Sequence, residues 1–239
     1  MSLKWKHLAL ATLPLFGMTA AQAAVLTSLE WPPYTSASLP EQGKSSQVVT
    51  AAFALAGDPL TIKFYPWQRA VDEATNNPEV LGYFPEYLDP KSSCLFSDPI
   101  GNGPLGFAQR AAQPVTWQSL DDLKGKKIGV VTGYVNTTEF DEKVASKALS
   151  ADATSSDSQN LLKLGNGRLD LAVIDQNVMT YLLESDPQLK DVAANLGFNG
   201  KILEDKSLHV CFTNSAKGKE ARDKFNKALA SDEVKKLMK

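Results

Sequence analysis

The residues able to do chemistry in this chain are few in kind. There are two histidines, His7 and His209. His7 lies in an N-terminal segment expected to be removed, so a Ser-His-Asp or Cys-His catalyst would have to use His209. That histidine sits in the apolar run Leu208-His209-Val210-Cys211-Phe212, where we read it as a hydrogen-bonded core residue. Cys94 and Cys211 are too few for a structural zinc site. Carboxylates are many, but spacing alone singles out no pair. No GxxxxGK[ST] loop is present to cradle phosphates. Gly101, Gly103 and Gly106 spell G-x-G-x-x-G, yet a dinucleotide site needs a helix after that loop. The next residues, FAQRAAQPVTW, carry Pro114 and no helical period. A backbone loop at a hinge is the expectation there. No cofactor and no metal is implied.

Aromatic and polar side chains recur instead at the ends of apolar runs. Trp31, Tyr34, Trp67, Tyr83, Phe84 and Tyr87 fall there in the first half of the chain, and Thr132, Tyr134, Asn136 and Asp175 in the second. In open parallel sheets, ligands bind outside the carboxyl ends of the strands. A cleft lined with rings and a few placed polar groups is a small-molecule site.

The elements that must position these residues emerge from periodicity. Val25–Leu29, Leu60–Tyr65 and Val80–Phe84 read as strands, with helices from about Ser45 or Ser46 to Gly57 and from Gln68 to Thr75 between them. Strands alternating with helices pair in parallel. The rhythm repeats with a short helix at Trp117–Leu123, a strand at Lys127–Val131, a helix at Glu139–Leu149 and a helix capped by Ser158. The strand Leu169–Ile174 comes next, and Asp175 is placed to cap the helix after it. Asp191–Leu203 reads as irregular. A late strand, Leu208–Phe212, and a long amphipathic helix, Gly218–Lys239, suggest a return to the first lobe. Two crossings between lobes result, near 104–107 and 207–211.

Length and address set the frame. The chain has 239 residues, enough for two lobes of about 100 residues each. It opens with Lys4 and Lys6, an apolar run of about 13 residues, and Ala21-Gln22-Ala23. That is the pattern of a secretory signal peptide cleaved after Ala23, and the run is short for a membrane span. The organisation expected is therefore a signal peptide over 1–23, lobe 1 over 24–105 plus 208–239, and lobe 2 over 106–207. The formal charge of −2 and the lack of a basic stripe argue against nucleic acid as a partner. An exported compartment permits a Cys94–Cys211 disulfide, and two buried thiols are the alternative.

The runs EWPPYTS (30–36), FYPWQRA (64–70), LFSDPI (95–100), LKGKKIGVVTGY (123–134) and NGRLDLAVIDQ (166–176) occur in an order that resembles the bacterial extracellular solute-binding proteins of family 3. These are the periplasmic amino-acid-binding type of ABC importers. The resemblance implies an α/β, two-lobed periplasmic-binding-protein fold of type II, each lobe a mostly parallel sheet flanked by helices. It implies a monomer that captures a small polar, amino-acid-like ligand between the lobes and delivers it to a membrane permease. By the same resemblance Tyr34, with Trp31 nearby, flanks the ligand; the backbone around Asn102 and Gly103, with Thr132-Gly133, holds an α-carboxylate; and Asp175 takes the α-amino group. The turn that carries a carboxylate-pairing arginine in the family reads Leu88-Asp89-Pro90-Lys91-Ser92-Ser93 here. Lys91 is a point charge rather than a planar fork, and Arg69 is another candidate cation. A dehydratase-like enzyme on the same scaffold, and a module presenting its ligand to a membrane sensor, are the alternative functions.

Overall fold

A computed structural model describes residues 23–238, so the expected signal peptide lies outside the described residues except for Ala23. The first unit keeps the β-α-β-α-β rhythm. It comprises β1 (Ala24–Ser28), α1 (Lys44–Leu55), β2 (Leu60–Phe64), α2 (Trp67–Asn76) and β3 (Gly82–Tyr87). β1 lies between β2 and β3 and is parallel to both. A two-residue strand, β4 (Leu95–Phe96), and the long β5 (Gly101–Arg110) come next. The second unit holds β6 (Lys127–Val131), α3 (Thr138–Ala145), β7 (Ser150–Thr154), α4 (Asp157–Gly165), β8 (Leu171–Asp175) and α5 (Gln176–Ser185). β6 is parallel to β7 and β8. The chain closes with β9 (Leu196–Phe198), β10 (Glu204–Phe212), α6 (Ala216–Leu229) and α7 (Asp232–Lys235).

The strands join in the order β2-β1-β3-β10-β5-β8-β6-β7. The two parallel units are thus linked through β5 and β10, which run antiparallel with Leu208 opposite Gly101 and Glu204 opposite Leu105. Late strand β10 pairs with β3 and β4 of the first unit. Helix α6 packs there too: Phe53 of α1, Phe212 of β10 and Phe225 of α6 form one aromatic cluster. A second cluster joins Phe107 of β5 to Trp117 and Phe140. No helix among the described residues is long and apolar enough to cross a membrane.

Several local expectations are corrected. The Gly-rich segment 101–104 is the start of strand β5, not a loop, because β10 accepts it as a ladder partner. β3 does not stop at Pro85 but continues to Tyr87. Pro85 is tolerated because pairing with β1 ends at Tyr83 and β10 shifts register between His209 and Cys211. α1 has Gly43 at its cap, with φ 97°, and its first N–H groups reach the Pro33 and Tyr34 carbonyls rather than a serine side chain. α4 is capped by Ser156, not Ser158. The C-terminal helix breaks after Leu229, where the Ser231 side chain accepts from the Val234 N–H and starts α7. Strands β7 and β9 add to those read from sequence. β7 is a half-exposed edge strand, SADAT, with no apolar run to announce it.

Candidate functional site

Strand ends from both units converge on one cleft. After β1 the chain folds back on itself: the Trp31 N–H donates to Thr35 O at 2.7 Å, and the Thr35 hydroxyl donates to Leu29 O at 2.9 Å. This turn stacks the Trp31 and Tyr34 rings, with centroids 4.8 Å apart. Trp67 opens α2 directly after Pro66, and β3 delivers Glu86 and Tyr87 at its end. From the opposite side, the turn after β6 brings Gly133 and Tyr134, the first turn of α4 brings Asp157, and the β8–α5 junction brings Asp175 and Asn177.

The two sides touch through specific hydrogen bonds. The Trp31 indole N–H donates to Asp157 Oδ2 at 3.2 Å, and that of Trp67 to Gly133 O at 3.0 Å. The Tyr34 hydroxyl donates to the Asp175 carboxylate at 3.1 Å and accepts from Asn177 Nδ2 at 2.8 Å. Asp175 also caps α5, accepting from the N–H groups of Asn177 and Val178. Gly103 makes the Tyr34–Asp175 contact possible. A Cβ there would stand 2.1 Å from both Asp175 Oδ2 and the Tyr34 hydroxyl oxygen.

The cleft holds two spaces whose linings share Leu29, Trp31, Trp67 and Tyr134. The inner one is a small cavity of about 30 Å³ whose lining includes Glu86, Tyr87 and Leu208. The outer one has a volume of about 380 Å³ and its lining includes Asp157, Ser156 and Tyr65. Burial disfavours charge on the acids here. It pushes the Glu86 carboxyl up to about 8, although the Tyr87 N–H and Lys206 pull the other way. It pushes Asp157 up to about 7 against the opposing Trp31 hydrogen bond. Asp175 rises to about 6, held back by the α5 N–H groups. Among the described residues no group of three or more His, Cys, Asp or Glu could hold a metal ion.

The cleft gathers Trp31, Tyr34, Trp67, Gly103, Tyr134 and Asp175 from the residues singled out by sequence. The others lie elsewhere. Phe84 is fully buried in the core. Arg69 projects outward, over the Tyr65 ring and beside Glu73. Asn102 gives its carbonyl oxygen to the Tyr34 hydroxyl at 3.4 Å, while its side-chain amide donates to Asp205. Asn136 donates to Asp141 of α3. Thr132 is exposed, and its N–H meets Thr154 O. Lys91 reaches Glu142 at 3.7 Å. Cys94 and Cys211 form a disulfide with an S–S distance of 2.08 Å. His209 is buried between Ser97 O and the Ser207 hydroxyl, and burial lowers its pKa. Sequence gives no site role to Asp157, which carries no signal beyond a position just after a cap. Glu86 is signalled only by its place after an apolar strand.

No protein-family model matches the sequence, and no curated protein does. Solved structures do match. A histidine kinase sensor domain with similarity to periplasmic binding proteins superimposes with a TM-score of 0.76 at 15% identity, covering 90% of this chain and 94% of that one. The fold is that of the periplasmic binding proteins. The GluR0 ligand-binding core from Nostoc punctiforme, solved with L-glutamate, gives 0.70 at 18% identity, covering 90% and 96%. An ancestral arginine-binding protein bound to arginine gives 0.69 at 19%, covering 91% and 97%.

Proposed function

We propose that this chain is an exported solute-binding protein whose two lobes, 24–105 plus 208–239 and 106–207, close on a small polar ligand. The observation that carries this reading is the set of hydrogen bonds reaching across the cleft, Tyr34 to Asp175 and Trp31 to Asp157. These link residues over 120 positions apart in sequence, at the carboxyl ends of parallel strands, where such sheets take ligands. The matched proteins solved with L-glutamate or arginine support a ligand of amino-acid size. The signal peptide, cut after Ala23, would deliver a monomer to the periplasm, and a permease of an ABC importer would receive the ligand. We read the chain as a binder and not an enzyme, since His209 is held by Ser97 O and the Ser207 hydroxyl and does not line either space of the cleft.

Thermal-shift screening against amino acids, oligopeptides and polyamines tests the reading. A ligand at 100 times its Kd adds ~2.7 kcal/mol of stability, which the melting temperature registers. No stabilising compound, together with Asp175→Ala indistinguishable from wild type, would count against it. One observation favours a second reading, in which the ligand is presented to a membrane sensor. The sensor domain superimposes with a TM-score of 0.76, against 0.70 for the GluR0 core and 0.69 for the arginine-binding protein. Permease and ATPase genes beside this one would decide for the importer.

A further inference from the structure

We propose that the ligand of this cleft is a small aliphatic amine that carries its positive charge without an accompanying carboxylate. The proposal rests on the binding-protein reading and narrows it. The charged residues among those lining the two spaces are Glu86 on the inner side and Asp157 and Glu30 on the outer. All are acids. Trp31, Trp67 and Tyr134 line both spaces, and Tyr134 feels the charge of both carboxylates. Ring faces beside buried carboxylates suit an ammonium, which gains from both.

The cations nearest the two spaces, Lys206 beside the Tyr87 ring and Arg69 over the Tyr65 ring, are each paired with an acid. Lys206 stands 5.2 Å from the Tyr87 ring centroid and pairs with Glu204. Arg69 pairs with Glu73 and Lys91 with Glu142. An independent sign points to a ligand in the inner space. Tyr87 lines it and is 7% exposed, and its buried hydroxyl has no hydrogen-bond partner. A buried orphan hydroxyl is a group awaiting one.

The electrostatic surroundings give the proposal a signature. Glu86 has Lys206 and Asp89 as charged neighbours, and His209, opposite it on β10, is held toward its neutral form by burial. Asp157 has Asp175 as its charged neighbour. Tyr83, Tyr87 and Tyr134 are kept neutral by burial. Both acids are therefore protonated in mildly acidic solution, and an ammonium displaces those protons when it binds. Affinity for an amine then rises with pH up to about 8, by up to ~10-fold per unit for each proton released, and levels off once both acids are ionised.

Titration calorimetry of the oxidised exported chain with 1,5-diaminopentane and with L-lysine, which differ by one carboxylate, is the test. The diamine is expected to bind at least ~10-fold tighter than lysine and to tighten with pH. Glu86→Gln and Asp157→Asn should each weaken the diamine at least ~10-fold and flatten the pH rise. Circular dichroism and melting curves establish that each variant is folded. Tighter binding of lysine, or of L-glutamate in a manner abolished by Lys206→Ala, would overturn the proposal while leaving the binding-protein reading intact. No heat from the diamine at about 10 mM, a concentration that reaches even weak millimolar binding, would also overturn it. The binding-protein reading would then stand or fall on the wider thermal-shift panel.

Discussion

At the scale of single residues, buried acids dominate this molecule. Glu86 and Asp157 have folded-state pKa values of about 8 and about 7, raised chiefly by burial. The unfolded chain releases those protons at lower pH, so the folded state binds more of them through the intervening range. Stability is therefore greatest in mild acid and declines as pH climbs toward 8. Glu86→Gln keeps an acceptor for the Tyr87 N–H, now 2.8 Å from Glu86 Oε1, and removes the charge. Urea unfolding should show this variant more stable than wild type at pH 8 by roughly 2–4 kcal/mol and nearly unchanged at pH 5. A wild-type stability flat across that range would contradict the burial of these acids. Asp175→Ala has the opposite sense. It strips α5 of its cap and Tyr34 of its acceptor, and should cost about 1–2 kcal/mol near neutrality.

At the scale of elements, the strands and helices built on strong apolar periodicity are legible in the sequence. β6 reads at its observed bounds, and Asp175 reads as the cap of α5. The features that escape are decided by partners distant in the chain. Residues 101–104 look like a loop because two glycines and a proline weaken any strand signal, yet β10 supplies the ladder that makes them one. The Tyr87 end of β3 is hidden by Pro85 for a similar reason. The candidate site is half legible: rings at strand ends announce a cleft, while the burial that raises the pKa values of Glu86 and Asp157 exists only after folding. Helix starts are locally coded but ambiguous where serines crowd, as at Ser156 and Ser158. Ser231 offers a direct check. Replacing it with alanine removes the acceptor for the Val234 N–H, and should lower stability by ~1 kcal/mol in thermal or urea denaturation.

At the scale of the whole molecule, the disulfide closes a loop with a sequence separation of 117. It ties the segment before β4 to β10, the strand that returns beneath α6. Thiol labelling of the oxidised, unfolded chain should find no free cysteine, and reduction should destabilise by about 4–5 kcal/mol through loop entropy in the unfolded state. β5 and β10 lie side by side where the two parallel units meet, so relative motion of the units must bend this ribbon. How far they approach is set at Gly103, where the bare backbone lets Tyr34 and Asp175 touch. A single methyl at this position is a doorstop. The Gly103→Ala chain should rest ajar, with a larger radius of gyration in small-angle scattering and its distant Phe53–Phe212–Phe225 core undisturbed. A residue with no side chain at all is thus expected to govern how closely the two sides of the cleft can rest.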